Sequence, residues 1–191
     1  AVSMLVGDGV HRALDVHQAD DKVQDKYGRN SFGWSLLMAR QLIEAGVSMV
    51  QVNLGNDESW DTHEAAFGNL KNYLLPPTDR AVSALIDDLD QRGMLDDTLI
   101  VMAGEFGRTP TINEQNGRHH WTPIMSMVMA GGGLPCGQVI GSSDARGGEI
   151  RSGKVRPQDL AATTFKHLGI DLDSHWVNNS GRPVPVVTEG G

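Results

Sequence analysis

The sequence predicts an α/β fold in which a layered, mostly parallel sheet is flanked by helices. Three apolar segments rich in β-branched residues predict buried strands at residues 47–54, 97–103 and 124–130. Helical patterns alternate with these segments, and such alternation with all-apolar strands is typical of a parallel sheet. The 191 residues suffice for one domain. We therefore expect a single α/β domain over residues 1–191 that begins with a polar segment, residues 1–30.

Capping residues and apolar spacing predict the helices before the first strand. A short helix is expected near residues 20–27, after a polar loop. Ser31 is placed to cap a longer helix, which carries apolar residues at helical spacing and stops at Gly46.

The segment between the first two strands predicts an interrupted helix. A helix over residues 64–75 is expected to break at the proline pair 76–77. Thr78 or Asp79 is placed to restart it, and an apolar face then continues to Gly93.

The last third of the chain predicts shorter elements. We expect a fourth, short strand at residues 138–140 and a loop or hairpin at residues 144–153. A final helix is expected from Pro157 to a C-cap at Gly169, followed by a loop from Asp171 onward.

Composition excludes several classes of function. The chain has 16 Lys and Arg against 24 Asp and Glu, a net charge of −8, so we expect no nucleic-acid partner. The longest apolar run, residues 124–130, is too short to span a bilayer, so no membrane span is expected. One cysteine, Cys136, excludes internal disulfides and a cysteine-based zinc finger.

Polar side chains gather beside the three predicted strands. These candidate residues are Asp57, Glu58, Asp61, His63, Glu105, Arg108, Arg118, His119 and His120. Because the chemistry of a parallel sheet gathers at the carboxyl ends of its strands, we expect them to share one edge. Carboxylate oxygen with imidazole nitrogen is the ligand set of zinc, manganese or iron, and calcium is favoured if oxygen dominates.

Spacing separates the candidate ligands. Asp61 and His63 lie two residues apart, so both point the same way in an extended segment. His119 and His120 are adjacent and diverge in extended chain, so we expect at most one of them to bind at this site.

Structural explanations of the same residues stay open. Asp61 or Thr62 is placed to cap the next helix. Glu105, which follows a predicted strand between glycines, is placed to pair with Arg108. The segment 117–121 also fits a plain loop whose tryptophan packs inward.

Four motifs together resemble a known family. They are WDTH at residues 60–63, GEFGRTP at 104–110, GRHHW at 117–121 and AGGG at 130–133. In this order they resemble the domain-of-unknown-function 1501 family of bacterial proteins, which is akin to the alkaline phosphatase and sulfatase superfamily. The similarity runs from about residue 27 to residue 185.

The resemblance implies that this chain is the C-terminal half of a larger alkaline phosphatase-like domain. In that superfamily the N-terminal half supplies the first metal-binding Asp and the Ser or Thr nucleophile, and nothing here corresponds to them. We therefore expect a truncation before Ala1, and a missing N-terminal half or a second copy as a partner. No signal peptide is evident at the start of this chain.

The resemblance also implies roles for individual residues. Asp61, His63 and His120 are expected to bind a divalent metal, which is zinc, calcium or manganese. Glu105 stands where the superfamily has its second Asp and Phe106 where it has a His, so the second metal site is altered or lost.

The expected catalytic residues are Glu105, Arg108 and Arg118. The two arginines are candidates to hold an anionic substrate.

The expected function is a metal-dependent hydrolase of phosphate or sulfate esters, or the C-terminal part of one. Its substrate would be an anionic small molecule or a polysaccharide ester, and the family resemblance implies a periplasmic or cell-envelope location. One alternative is a non-catalytic ligand-binding or assembly module, favoured by Phe106 and by the missing nucleophile. The other is a structural subunit of a larger complex.

Overall fold

The computed structural model of the protein describes residues 8–187. They divide into two compact units. Unit 1 contains the described residues up to 95 together with 111–120, and unit 2 contains 96–110 together with the described residues from 121 onward. Whether the chain forms one domain stays a prediction, and each unit is described by itself.

Unit 1 is helical. Its elements are α1 (Asp8–Leu14), a 3₁₀ turn (Val16–Gln18), α2 (Asp21–Tyr27), α3 (Ser31–Glu44), α4 (Ala66–Asn69), a π turn (Leu70–Leu74) and α5 (Leu75–Gln91). The helices expected near residues 20–27 and after residue 30 are confirmed. The cap of α3 is Asn30 rather than Ser31, since its side chain accepts from Phe32 N at 3.0 Å and Gly33 N at 3.1 Å. Within the polar segment 1–30, α1 was not expected, and residues 1–7 lie outside the described part.

The expected break at the proline pair is wrong. The prolines lie in the first turn of α5, directly after the π turn, and proline is tolerated in the first turn of a helix. The π turn joins α4 to α5, and the backbone N–H of Leu75 bonds to the carbonyl of Leu70. The chain therefore stays helical from Ala66 to Gln91.

A polar network joins α2, α3 and α5 beside the apolar core of unit 1. The Tyr27 hydroxyl donates to Asp88 Oδ2 over 3.0 Å, and Arg92 Nε donates to Asp88 Oδ1 over 2.8 Å. Arg40 Nε lies 2.9 Å from Asp88 Oδ2 as an ion pair that lacks hydrogen-bond alignment. Glu44 pairs with both arginines. We call these five residues the Asp88 network.

Unit 2 carries the strand ladders. Its antiparallel pairs are β1 (Leu99–Ala103) with β4 (Met127–Gly131), β5 (Ser142–Ser143) with β6 (Ile150–Ser152), and β7 (His175–Val177) with β8 (Pro183–Pro185). Two further strands have two residues each. β2 (Gly107–Arg108) lies in unit 2, and β3 (His120–Trp121) begins at the last residue of unit 1. The remaining helix, α6 (Pro157–His167), lies close to its predicted position.

The predicted fold class is wrong. Within residues 8–187 every sheet has two strands, and no layered parallel sheet is present. The predicted strand 47–54 forms no ladder, nor does the predicted strand 138–140. The apolar runs at β1 and β4 do form strands, but these pair antiparallel, in a register from Leu99–Gly131 to Ala103–Met127. An apolar run indicates a strand without giving the direction of its neighbour, and this is where the inference failed.

Two further predictions meet the structure in unit 2. The loop or hairpin at residues 144–153 is a hairpin, closed by β5 and β6. The tail from Asp171 is not all loop, since β7 and β8 lie in it. No helix among the described residues has both the length and the apolar character needed to cross a membrane.

Candidate metal centre

The candidate site is built on two loops of unit 1 that run side by side. One runs from residue 61 to Ala66, the first residue of α4, and the other contains residues 111–120. Backbone hydrogen bonds join them: Arg118 N to Thr62 O at 3.1 Å, Ala65 N to Gln115 O at 2.9 Å and Ala66 N to Asn116 O at 2.9 Å. These bonds fix the position of one loop against the other.

Asn113 organises the second loop. Its Oδ1 accepts from Gln115 N at 3.0 Å and Gly117 N at 2.8 Å, and its backbone N–H donates to Gly117 O at 3.0 Å. Its Nδ2 donates to the carbonyl of His63 at 2.8 Å. One side chain therefore both closes the turn and ties it to the first loop.

Gly117 permits this close approach. A Cβ atom at this position would overlap the backbone carbonyl of His63. Any larger residue would force the loops apart, because the obstacle is backbone and not a movable side chain.

The first loop presents Asp61 and His63 on one side. Thr62 between them is 9% exposed, whereas the side chains of Asp61 and His63 are 31% and 39% exposed. Trp60 donates its indole N–H to the carbonyl of Leu54, which closes the turn before Asp61. The structure thus places the two side chains together, as the spacing predicts.

Asp61, His63 and His120 bring three ligand atoms to one point. Asp61 Oδ1 lies 3.1 Å from His63 Nε2 and 2.9 Å from His120 Nε2, and the two Nε2 atoms are 3.2 Å apart. Ligand atoms about 2.0–2.1 Å from one metal are separated by about 3.3 Å in a tetrahedral site and about 3.0 Å in an octahedral one. The triangle therefore has the size that a single metal ion requires, and we call these residues the metal triad.

His119 and His120 contact different sides of the His63 ring. His119 Nδ1 lies 2.9 Å from His63 Nδ1, while His120 Nε2 lies near His63 Nε2. His119 Nε2 is 3.3 Å from Asn113 Nδ2. Of the two adjacent histidines, only His120 belongs to the triad.

The other predicted site residues are not members of the metal triad. Arg118 precedes the two histidines, and its guanidinium carbon lies 6.0 Å from the centre of the Phe67 ring, a cation–π contact. Glu105 and Arg108 belong to unit 2, where Glu105 lies just before β2 and Arg108 lies in it. Their expected catalytic roles stay predictions.

Asp57 and Glu58, the remaining candidates, are exposed in the turn before Trp60. Sequence reasoning missed Asn113 and Gly117, the residues that hold the loops together. The available signal was the stretch Asn-Glu-Gln-Asn-Gly, since an asparagine a few residues before Asn-Gly is typical of a turn closed by a side-chain amide.

Comparison with known proteins gives one match. A family described as protein of unknown function (DUF1501) matches residues 4–191. No curated protein and no solved structure matches the chain. The loops that carry Asp61 and His120 lie within the matched region, and the description of the family assigns them no function.

Proposed function

The chain belongs to the DUF1501 family of proteins of unknown function, and we propose that this member is a metal-dependent hydrolase of phosphate or sulfate esters. The observation that carries the proposal is the metal triad, whose three ligand atoms lie 2.9–3.2 Å apart. Three protein ligands with exposure on one side leave coordination positions for water or substrate, as in catalytic zinc sites.

The donor set favours zinc, with manganese or iron next. Two of the three donor atoms are imidazole nitrogens, which zinc binds well. Calcium takes six to eight oxygen ligands and is disfavoured by this set. Among the three metals expected from the resemblance, we therefore propose zinc.

The chain's own residues would divide the work as follows. Asp61 supplies the negative charge that attracts the cation, and His63 and His120 fix it by directed nitrogen lone pairs. Arg118, held against Phe67, is the candidate to bind the anionic ester group through its planar guanidinium. A bound divalent metal supplies Lewis acidity and lowers the pKa of a water molecule. The nucleophile is not assigned to a residue of this chain.

The wider context is also a proposal. We propose a relation to the C-terminal half of the alkaline phosphatase and sulfatase superfamily, an exported protein of the periplasm or cell envelope, and an anionic small molecule or polysaccharide ester as substrate. The net charge of −8 makes a local cation the natural means of attracting an anion to this surface.

Metal analysis followed by activity assays tests the proposal. We expect about one zinc per chain after zinc loading, and hydrolysis of an aryl phosphate or an aryl sulfate. Asp61→Asn and His120→Gln should lose both, whereas His175→Gln, a matched change of a histidine in β7, should lose neither. No bound metal, together with no activity on added zinc or manganese, would contradict the proposal.

A second candidate is a non-catalytic binding module. It is supported by Phe106, which stands where the superfamily has a metal-binding histidine, and by the three ligands that the described residues bring to one site. Saturable binding of an anionic glycan that persists in Asp61→Ala and His120→Ala would favour this function over hydrolysis.

A further inference from the structure

The hydrogen bonds around Asn113 have a direction that the backbone sets. Gln115 N and Gly117 N both donate to one atom of the side-chain amide, so that atom is the oxygen. The other atom is then the NH₂ group, which faces the carbonyl of His63 at 2.8 Å and His119 Nε2 at 3.3 Å. The amide has two N–H bonds and donates one to each.

The donor-to-acceptor order of these hydrogen bonds continues through the imidazole rings of His119 and His63. Because His119 Nε2 accepts from Asn113, a neutral His119 carries its proton on Nδ1, which lies 2.9 Å from His63 Nδ1. His63 Nδ1 then accepts, and a neutral His63 carries its proton on Nε2, 3.1 Å from Asp61 Oδ1. Each contact in this series of hydrogen bonds, from Asn113 through His119 and His63 to Asp61, pairs a donor with an acceptor.

We infer that Asn113 is a positioning residue which, acting through His119, sets the tautomer of the metal-triad ligand His63. The inference rests on the proposed function only where it concerns metal binding. A metal ligand needs the lone pair of Nε2, and ligating histidines usually donate their other N–H to an acceptor. In the metal-free protein His63 has the opposite tautomer, because its Nε2 carries the proton and its Nδ1 accepts.

Metal uptake at His63 therefore requires the two rings to exchange tautomers. The His63 proton moves from Nε2 to Nδ1 and the His119 proton from Nδ1 to Nε2, with no net gain or loss of protons. The new His119 N–H then faces the NH₂ group of Asn113, donor against donor. Asn113 thus holds the site in its metal-free hydrogen-bond pattern and weakens metal binding.

Asn113→Asp tests this role directly. The carboxylate keeps an acceptor for Gln115 N and Gly117 N. It replaces the NH₂ donor by an acceptor for His119 and gives up the hydrogen bond to the His63 carbonyl. We expect long-range ¹H–¹⁵N NMR of the metal-free wild type to show His63 protonated on Nε2, and the variant to show it protonated on Nδ1. Zinc titration should give roughly tenfold tighter binding in the variant.

Two controls separate the relay from the added charge. Asn178→Asp adds the same charge at an asparagine whose Oδ1 also accepts two backbone N–H groups, and should leave zinc affinity unchanged. In a His119→Phe background, which cuts the relay, Asn113→Asp should no longer increase affinity. A gain that persists in that background would show a charge effect and overturn the inference.

The failure of the inference and that of the proposed function are distinguishable. A wild-type His63 protonated on Nδ1, or no change of its tautomer in Asn113→Asp, overturns the inference whatever the metal does. A wild type that binds no zinc contradicts the proposed function, while the NMR spectra still decide the relay. If the His119→Phe variant does not fold, the tautomers of the wild type and of Asn113→Asp decide alone.

Discussion

Unit 1 contains two polar clusters that each include a central aspartate and differ in the side chains that contact it. In the Asp88 network one carboxylate meets two arginines and a tyrosine hydroxyl, and its side chain is only 12% exposed. In the metal triad one carboxylate oxygen faces two imidazoles whose nitrogens lie 3.2 Å from each other, with 31–46% of each side chain exposed.

The difference separates a structural cluster from the cluster that we propose to bind a metal. The Asp88 network needs no ligand, since two arginine cations balance the charge of its buried carboxylate and the Tyr27 hydroxyl donates to it. The metal triad brings one carboxylate oxygen and two imidazole nitrogens to one point, and zinc binds this set of ligand atoms. A cation complements the second cluster and has no place in the first.

The largest expected effect comes from a substitution that breaks the Asp88 network. Asp88→Ala leaves Arg40, whose side chain is 5% exposed, without its buried partner. Removing one member of a buried ion pair costs about 3–5 kcal/mol, so denaturant unfolding should show a loss of that size. Asp87→Ala, the exposed neighbour that lies 3.7 Å from Lys26, is the matched control and should cost less than about 1 kcal/mol. Equal losses in the two variants would contradict the comparison.

The second effect concerns the loops beneath the metal triad. Gly117→Ala places a methyl group onto the carbonyl of His63, so we expect a loss of about 1–3 kcal/mol in stability and zinc affinity weaker by about tenfold or more. Gly68→Ala is the control, because its added Cβ meets no atom and alanine favours the helix. Unchanged zinc affinity in Gly117→Ala would show that the loop crossing does not position the triad.

The third effect is the pH dependence of the Asp88 network. Burial raises the pKa of Asp88, but the hydrogen bond from Arg92 and the charge of Arg40 outweigh it, and the pKa lies below its ordinary value. Its contribution to stability is therefore present above the pKa of an unfolded aspartate and is lost as the pH falls through the lower, folded pKa. Unfolding of wild type and Asp88→Asn between about pH 2 and pH 7 should show their stabilities converging at low pH.

The pKa shift of Tyr27 has the opposite sign to that of Asp88, and its effect on stability is expected at alkaline pH. Burial, reinforced by the charge of Asp88, raises the pKa of the Tyr27 hydroxyl above its ordinary value. Its contribution is present below the unfolded tyrosine pKa of about 10 and is lost as the pH rises towards the folded pKa. Tyr27→Phe should remove this alkaline dependence, and a dependence of equal size in the variant would contradict the assignment.

Local signals in the sequence predicted the helices well and the sheet poorly. Capping residues and apolar spacing placed α2, α3 and α6, because helices form from contacts between neighbours in sequence. The apolar segments at β1 and β4 predicted strands, but their antiparallel pairing depends on partners distant in sequence. The segment 47–54 has strand-like composition and no ladder partner among the described residues.

The sequence predicted all three members of the metal triad, but the reason for including His120 was wrong. The alternation at Asp61 and His63 follows from backbone geometry and is present in the structure. His120 was expected to join them at the edge of a parallel sheet, and no such sheet exists among the described residues. It joins them because Asn113 and Gly117 tie its loop to the loop of His63, contacts that no periodicity in the sequence reveals.

The smallest expected change in stability gives the sharpest contrast between the two clusters. Asp61→Asn in metal-free protein should shift the unfolding free energy by no more than about 0.5 kcal/mol, since 31% of the Asp61 side chain is exposed. Zinc should stabilise the wild type by about 2.7 kcal/mol at a free concentration one hundred times its dissociation constant, and should not stabilise the variant at that concentration. Asp88→Asn, although less stable throughout, should gain as much from zinc as the wild type does. Equal stabilisation of Asp61→Asn and wild type by zinc would place the cation somewhere other than the metal triad.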